Sequence, residues 1–322
     1  MHVEGCNNGE TERVMDLARF IAKRLLRLVL TVLLISTIVF FVIRVIPGDP
    51  ALLIAGIDAT PSDIAAIRAK LGTDRPLSAQ YFDFLWKVAH LDFGNSMISE
   101  EPVTALILQR FPLTLALAVL GMVIGTVIAI PIGILSAVKP WSAWDYVGLV
   151  MSQLGMAIPS FWLGILLLLV FAVKIPIFPL FGAEILASLV LPAFSLGFAR
   201  AAILLRHTRA SMSEELSKEY IIAAKAKGLT DRMIKYKHAL KNALLPIITV
   251  AGIEFGYMLG GAIIIEQVFS LPGLGRLFLY AIYQRDFPLI QGGVVFIAIV
   301  FSLVNFAADV LYSVVNPKIR LE

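Results

Sequence analysis

Charge is what this sequence has least of. Its 27 Lys+Arg and 23 Asp+Glu make up 16% of 322 residues, where a soluble domain carries about a quarter. Disorder is excluded, because it needs low hydrophobicity and high net charge, and here 59% of residues are hydrophobic. A single cysteine, Cys6, cannot bridge internally. The four histidines (His2, His90, His207 and His238) are scattered, which argues against a metal cluster built within the chain. The sequence contains no G-x-x-x-x-G-K-[ST] run, hence no phosphate-cradling loop of its own. It also lacks G-x-S-x-G, H-E-x-x-H and C-x-x-C, the common signatures of hydrolases and redox enzymes. What remains is an integral membrane protein.

A helix needs about 20 mostly apolar residues to cross the hydrocarbon layer. The windows 111–138, 146–173 and 287–308 carry no charge at all. The window 28–43 is clean and flanked by Arg27 and Arg44, whose stems can snorkel toward the two interfaces. Glu254 alone interrupts 243–265, and 185–199 extends to 205 if Arg200 faces protein rather than lipid. The expected fold is therefore an all-α integral membrane protein with six spans, at 25–46, 113–137, 147–173, 187–206, 243–265 and 289–312. The first apolar run is too long for a secretion signal and ends in Ile46-Pro47-Gly48-Asp49 rather than a small-x-small cleavage site, so it reads as a retained anchor.

Orientation follows the Lys/Arg bias of the loops. Arg13, Arg19, Lys23 and Arg24 precede the first span. The loop 207–242, with Arg206 at its edge, carries nine cations against four acids, whereas the loop after the first span carries eight acids against five cations. This predicts a cytoplasmic tail 1–24, an extracytoplasmic loop 47–108, a transmembrane domain 109–312 and a cytoplasmic tail 313–322. Within the outer loop, Pro61-Ser62-Asp63-Ile64 predicts a helix start and Gly72 its stop. Tyr81, Phe82, Leu85, Trp86 and Val88 predict a second amphipathic helix, whose aromatics either pack on the membrane end or dock an external partner.

The loop 207–242 is too long for a tight turn and too apolar for a solvated linker. Lys218, Glu219 and Glu215 mark a short helix containing Tyr220, with small residues Ala223, Ala224 and Gly228; Gly228 is a good terminator. Such a helix either rests on lipid headgroups or lets a protein groove approach closely. A second amphipathic helix is expected over 234–245, leading into the fifth span at Pro246.

Here the chain resembles a known family. Tyr220-Ile-Ile-Ala-Ala-Lys-Ala-Lys-Gly228-Leu and His238-Ala-Leu-Lys-Asn-Ala-Leu-Leu-Pro246 are similar to the EAA loop of binding-protein-dependent ABC importer permeases. The resemblance is to the branch serving dipeptides, oligopeptides, glutathione and nickel. Further matches follow in order: Arg44-Val-Ile-Pro-Gly-Asp-Pro50, Leu91-Asp-Phe-Gly-Asn-Ser96, Arg110-Phe-Pro-Leu-Thr114 and Ile158-Pro-Ser-Phe161. Then come Glu266-Gln-Val-Phe-Ser-Leu-Pro-Gly-Leu-Gly-Arg276, Arg285-Asp-Phe-Pro288 and Asn316-Pro-Lys-Ile-Arg320. The glutamate of the generic EAA pattern falls at Ile222 here, and its later Ile and Pro at His238 and Lys241.

The resemblance implies the ABC transmembrane type-1 fold in a bacterial inner membrane with both termini cytoplasmic. It implies a permease rather than an enzyme, with ATP hydrolysis on partner chains. The implied partners are two ATP-binding subunits, a second paralogous permease, an extracytoplasmic solute-binding protein and the lipid bilayer; no cofactor, metal or nucleic acid is expected. The substrate expected is a di- or oligopeptide, with nickel or a metal chelate as the alternative. A self-sufficient secondary transporter, the reading of a different class, typically shows inverted repeats, and none is apparent. Coupling to the ATPase is expected at Tyr220, Ala223, Ala224, Lys227, Gly228 and Leu229.

Ionisable groups at membrane depth are costly and therefore informative. Glu254 either lines the solute path, bonds to the partner permease or is satisfied by neighbouring helices. Asn305 and Asp309 at the end of the sixth span bond between helices or take part in coupling. Gly121 and Gly125 form G-x-x-x-G, which lets helices approach closely, and Pro131, Pro159, Pro192 and Pro246 are expected to kink the spans they fall in or border.

Overall fold

A computed structural model describes residues 5–45, 50–55, 59–179 and 186–315, and these are almost wholly helical. The order is α1 (Gly5–Val45), α2 (Pro50–Ala55), α3 (Pro61–Leu71), α4 (Leu77–Ala89), α5 (Val103–Val138), α6 (Ala143–Ala157) and α7 (Ser160–Leu168). After α7 comes a π-helical stretch, Leu169–Lys174, and then α8 (Ala187–Leu216), α9 (Glu219–Ala226) and the turn α10 (Asp231–Met233). A second π-helical stretch, Ile234–Ala239, leads into α11 (Leu240–Val268), followed by α12 (Leu274–Gln284) and α13 (Phe287–Val315). Five described helical segments are long and apolar enough to span a membrane, and α6 with α7 makes a sixth as a bent pair.

Four clusters of buried side chains stack along the bundle. At one end Val103 and Ile107 of α5 meet Phe93, Leu274, Phe278 and Leu289. Next come Leu117, Leu196, Met258 and Ile265, and then Ala129, Leu204, Leu205 and Ile247. At the other end lie Ile134, Met212, Ile221 and Ala243. Helices α5 and α8 therefore run parallel and α11 runs against them, giving the bundle an α12 end and an α9 end. Arg24 of α1 pairs with Asp309 of α13 at 2.8 Å, near the end at which α1 begins and α13 finishes.

The α5–α8 contact is backbone against backbone. A Cβ on Gly197 would collide with the carbonyl of Gly121, and one on Gly125 would stand 3.0 Å from the carbonyl oxygen of Gly197. The G-x-x-x-G of α5 thus packs against a third glycine. Lipid offers no hydrophobic gain for bringing helices together, so such close packing supplies much of the attraction.

The two helices expected in the outer loop are present. Thr60 and Asp63 cap α3 reciprocally: the Asp63 N–H donates to Thr60 Oγ1 at 3.3 Å and the Thr60 N–H to Asp63 Oδ2 at 3.0 Å. The Thr60 hydroxyl, donating to Asp63 Oδ2 at 2.6 Å, and then the Thr60 N–H hold the exposed Asp63 carboxyl below its ordinary range. Gly72, at φ 68°, ends the helix. The aromatics of α4 divide. Tyr81 bonds Thr37 at 2.8 Å and Phe84 stacks on Phe40, both against α1, while Phe82 and Trp86 stay exposed.

Three boundaries differ from the sequence reading. The third span, 147–173, is two helices that bend by 98°. Pro159 has no N–H and drives Ile158 into extended backbone, so helix hydrogen bonding restarts at Ser160. Its contacts still advance along α8: Asp145 meets Arg209, Gly155 faces Ala202 and Gly164 faces Ser195. The bent pair therefore runs from the α9 end toward the α12 end. The stretch 5–24, expected as a tail, belongs to α1, and α8 continues past the expected end of the fourth span to Leu216. The two helices expected within the loop are present as α9 and as the helical run from Ile234 into α11. Ile46, Pro47, Gly48 and Asp49 and the terminal Asn316–Arg320 motif lie outside the described residues.

The glycine crossing yields a stability test. Gly197→Val forces α5 and α8 apart and costs about 1–3 kcal/mol as an overpacked contact. Gly260→Ala, where nothing stands within 4 Å, is neutral or stabilising. Thermal unfolding of the purified subunit in detergent reads both, and equal behaviour of the two variants would refute the assignment.

Candidate functional site

Where α8 ends, Ser217 and an extended Lys218 turn the chain into α9. The carboxylate of Glu215 holds this corner. It accepts bonds from the Lys218 ammonium and, at 2.8 Å, from the Tyr220 hydroxyl, while the Asn242 amide donates to the Tyr220 oxygen at 3.3 Å. Tyr220 thus ties α9 to the end of α8 and the start of α11. Pairing with Glu215 raises the pKa of Lys218; burial, and then the bond to Glu215, raises that of Tyr220. Both groups therefore keep their protons at neutral pH.

One face of α9 is rooted in the protein and the other is bare. Ile221 and Ala224, three residues apart, share the inward face and pack with Ile134, Ala137, Met212 and Ile234. Ile222 is 65% exposed, and Ala223, Lys225, Lys227 and Gly228 open outward beside it. Leu229 is half-buried against the same cluster as Ile221. The sequence reading grouped Ala223, Ala224 and Gly228 as one small-residue surface. Ala224 instead belongs to the root, because the 3.6-residue period turns it away from its neighbour. Gly228 sits at φ 76° with open space where a Cβ would stand, a conformation that only glycine adopts freely.

At membrane depth, Arg200 of α8 donates from Nη1 to Glu254 Oε2 of α11 at 3.0 Å, and its guanidinium lies 5.7 Å from the Tyr257 ring centre. Glu254 is nearly buried and its partner belongs to the same chain. Arg200 is thereby half of a helix–helix ion pair and faces protein rather than lipid, the condition on which the fourth span extends to 205. Asp309 bonds Arg24, again between helices, while Asn305, about one turn earlier on α13, is half-buried and joins neither pair. Arg209 of α8 grips Asp145 of α6 through two bonds, at 2.6 and 3.0 Å, and Asp145 also accepts the Trp141 N–H.

Two further constellations had no assigned role in the sequence reading, although their residues stood in its motifs. Fully buried Glu266 accepts from Thr114 Oγ1 at 2.6 Å and from the Gly275 and Arg276 N–H groups at 2.7 and 3.4 Å. The Leu274 N–H donates to Thr114 at 2.9 Å. A carboxylate thereby caps the N-terminus of α12, where the orphan N–H groups and the helix dipole both favour an anion. Asp286 acts similarly for α13: it accepts the Leu289 N–H at 3.3 Å, together with the Ser96 hydroxyl and the Met97 N–H. For Asp286 the available signal was a lone acid placed just before a helix start, a pattern of N-terminal caps; Glu266 lies inside α11, well before Leu274, and gave no such signal.

Comparison with known proteins agrees with this architecture. The family described as "Binding-protein-dependent transport system inner membrane component" matches residues 129–321, and its N-terminal counterpart matches residues 17–118. The chain is 40% identical over 303 residues to the glutathione transport system permease protein GsiC of Salmonella choleraesuis (strain SC-B67), covering 94% of this chain and 98% of that protein. The same figures hold for its counterpart in Escherichia coli (strain K12). Among solved structures, an inward-facing MetNI methionine ABC transporter superposes with a TM-score of 0.56 at 21% identity, covering 66% of this chain and 96% of that one, which speaks for the fold.

The Arg200–Glu254 pair generates a second test. Glu254→Met strands a guanidinium at membrane depth and costs about 3 kcal/mol. Adding Arg200→Met restores most of that loss, since two well-packed apolar residues can replace a buried pair. Thermal unfolding of the two single variants and the double variant forms the cycle; additive losses would show that the two residues are not coupled.

Proposed function

The chain belongs to the family of binding-protein-dependent transport system inner membrane components, and on that premise we propose that it conducts small peptides, glutathione among them, into the cell. It is a multi-pass inner-membrane permease subunit of an ABC importer, not an enzyme, and its ATPase activity lies in partner subunits. The peptide reading rests on the glutathione permeases to which it is 40% identical. The partner set in this reading is two ATP-binding chains, a second paralogous permease and an extracytoplasmic solute-binding protein. The α9 end faces the cytoplasm with both termini, as the excess of Lys and Arg in 207–242 favours.

The observation that carries the mechanism is the two-faced α9. Its outer face offers Ile222, Ala223, Lys225, Lys227 and Gly228 to a groove on the ATPase, and Tyr220 braces the helix at its base. Its inner face, through Ile221 and Ala224, is packed into the ends of α5, α8 and α11. A movement of the ATPase that displaces α9 is thereby transmitted to three spans at once, because a close-packed cluster moves as a body rather than yielding. Nucleotide-driven closure then rocks the bundle between inward- and outward-open states. Asp309, through Arg24, acts in this scheme as an inter-helix anchor at the driven end, and Glu254 as the brace between α8 and α11.

Gly228 offers the cleanest test. Gly228→Asn, which tolerates a left-handed backbone, keeps most ATP-driven peptide uptake in proteoliposomes. Gly228→Glu adds bulk and charge at the docking face and abolishes uptake with normal membrane insertion and abundance. Ordinary uptake by the glutamate variant would refute docking at this face.

A further inference from the structure

At the opposite end of the bundle, Pro272, Gly273, Leu277 and Tyr280 wall an open cleft of about 450 Å³ lined by two guanidinium groups, Arg110 and Arg276. Arg110 stands on α5 one turn before Thr114, and Arg276 is the third residue of α12. Glu266 bonds both Thr114 and the Arg276 N–H, so the same buried carboxylate that caps α12 fixes the two arginines relative to each other. Its oxygens are taken up by Thr114 and backbone N–H groups beneath the cleft, not by either guanidinium.

Among the described residues neither arginine is ion-paired. Arg110 Nη1 reaches the Pro272 carbonyl at 3.5 Å and Arg276 Nη1 the Ser270 carbonyl at 3.0 Å. A guanidinium has five N–H donors, so most of this capacity is uncommitted. The second cleft at this end, beside α4, differs: Arg44, Arg75 and Lys87 line it with Asp83 and Asp92, and Lys87 pairs with Asp83 at 3.0 Å. The cleft of Arg110 and Arg276 has one sign of charge and no acid in its lining.

We propose that this cleft receives the carboxylates of the solute. Two forked donors over an apolar wall suit a peptide that carries more than one carboxylate, since guanidinium and carboxylate can share two parallel bonds. A cleft of one charge sign also raises the local concentration of an oppositely charged solute. The site thereby adds a preference for acidic peptides, glutathione included, to whatever selection precedes it. This inference rests on the peptide reading above.

The test uses the complete transporter in proteoliposomes with its binding protein, and compares glutathione with glutathione diethyl ester, each rate normalised to wild type. The double variant Arg110→Gln/Arg276→Gln imports glutathione about tenfold more slowly at low salt, while ester import is unchanged or faster. The deficit shrinks as ionic strength rises, because salt screens the attraction, and the double Arg→Lys variant recovers part of the glutathione rate. Equal losses for both solutes, or no loss for either, would overturn the proposal and leave peptide import standing. A wild-type transporter that imports neither solute would remove the peptide reading and this inference with it.

Discussion

The structure depends on one close approach, the crossing of α5 and α8 at Gly121, Gly125 and Gly197. Two parallel helices with backbones in contact form a unit that has no room to slide without a collision. Two other spans are fastened to this unit by polar bonds: α6 through Asp145 and Arg209, α11 through Glu254 and Arg200. Helices α1 and α13 hold each other through Arg24 and Asp309. Packing and inter-helix polar bonds are the forces available where lipid tails are as apolar as the side chains they solvate. The division of labour follows from that: glycine sets the distance and ion pairs set the register.

Between the two ends runs one long member. The helical segment Asp231–Val268 is 38 residues long, on the order of 55 Å at the α-helical rise. It begins beside α9, passes the Arg200–Glu254 pair midway and finishes at Glu266, the cap of α12. The bare face of α9 and the arginine cleft thus lie beside the two extremities of one element. A rotation or tilt imposed at one extremity reaches the other without crossing a loop.

Much of this was legible in the amino-acid sequence because lipid enforces simple rules. Charge-free windows located the spans, and the Pro61 start and Gly72 stop marked α3 at its described bounds. The expected helix terminator Gly228 does have the left-handed backbone. Periodicity alone could not divide α9 into faces, since Ala223 and Ala224 are chemically alike and only the position of Ile221 in the core decides which of them is buried. The 98° bend at Pro159 was equally obscure. A proline at that place also fits a gentle kink, and only the packing of α6 and α7 along α8 fixes the angle. Partners of buried acids were beyond reach for a different reason: Thr114 and Glu266 are 152 positions apart, and nothing local links them.

That separation bears on the order of synthesis. The hydroxyl of Thr114 and the Ser96–Met97 corner enter the bilayer region early, but the carboxylates that complete them, Glu266 and Asp286, belong to the last stretch of chain to leave the ribosome. Until then the α12 end has unpaired donors and no closing helix, whereas the contacts that set α5 against α8 already exist. The α12 end of the bundle is therefore assembled last, so a prematurely terminated chain retains the glycine-packed frame and leaves that end unfinished.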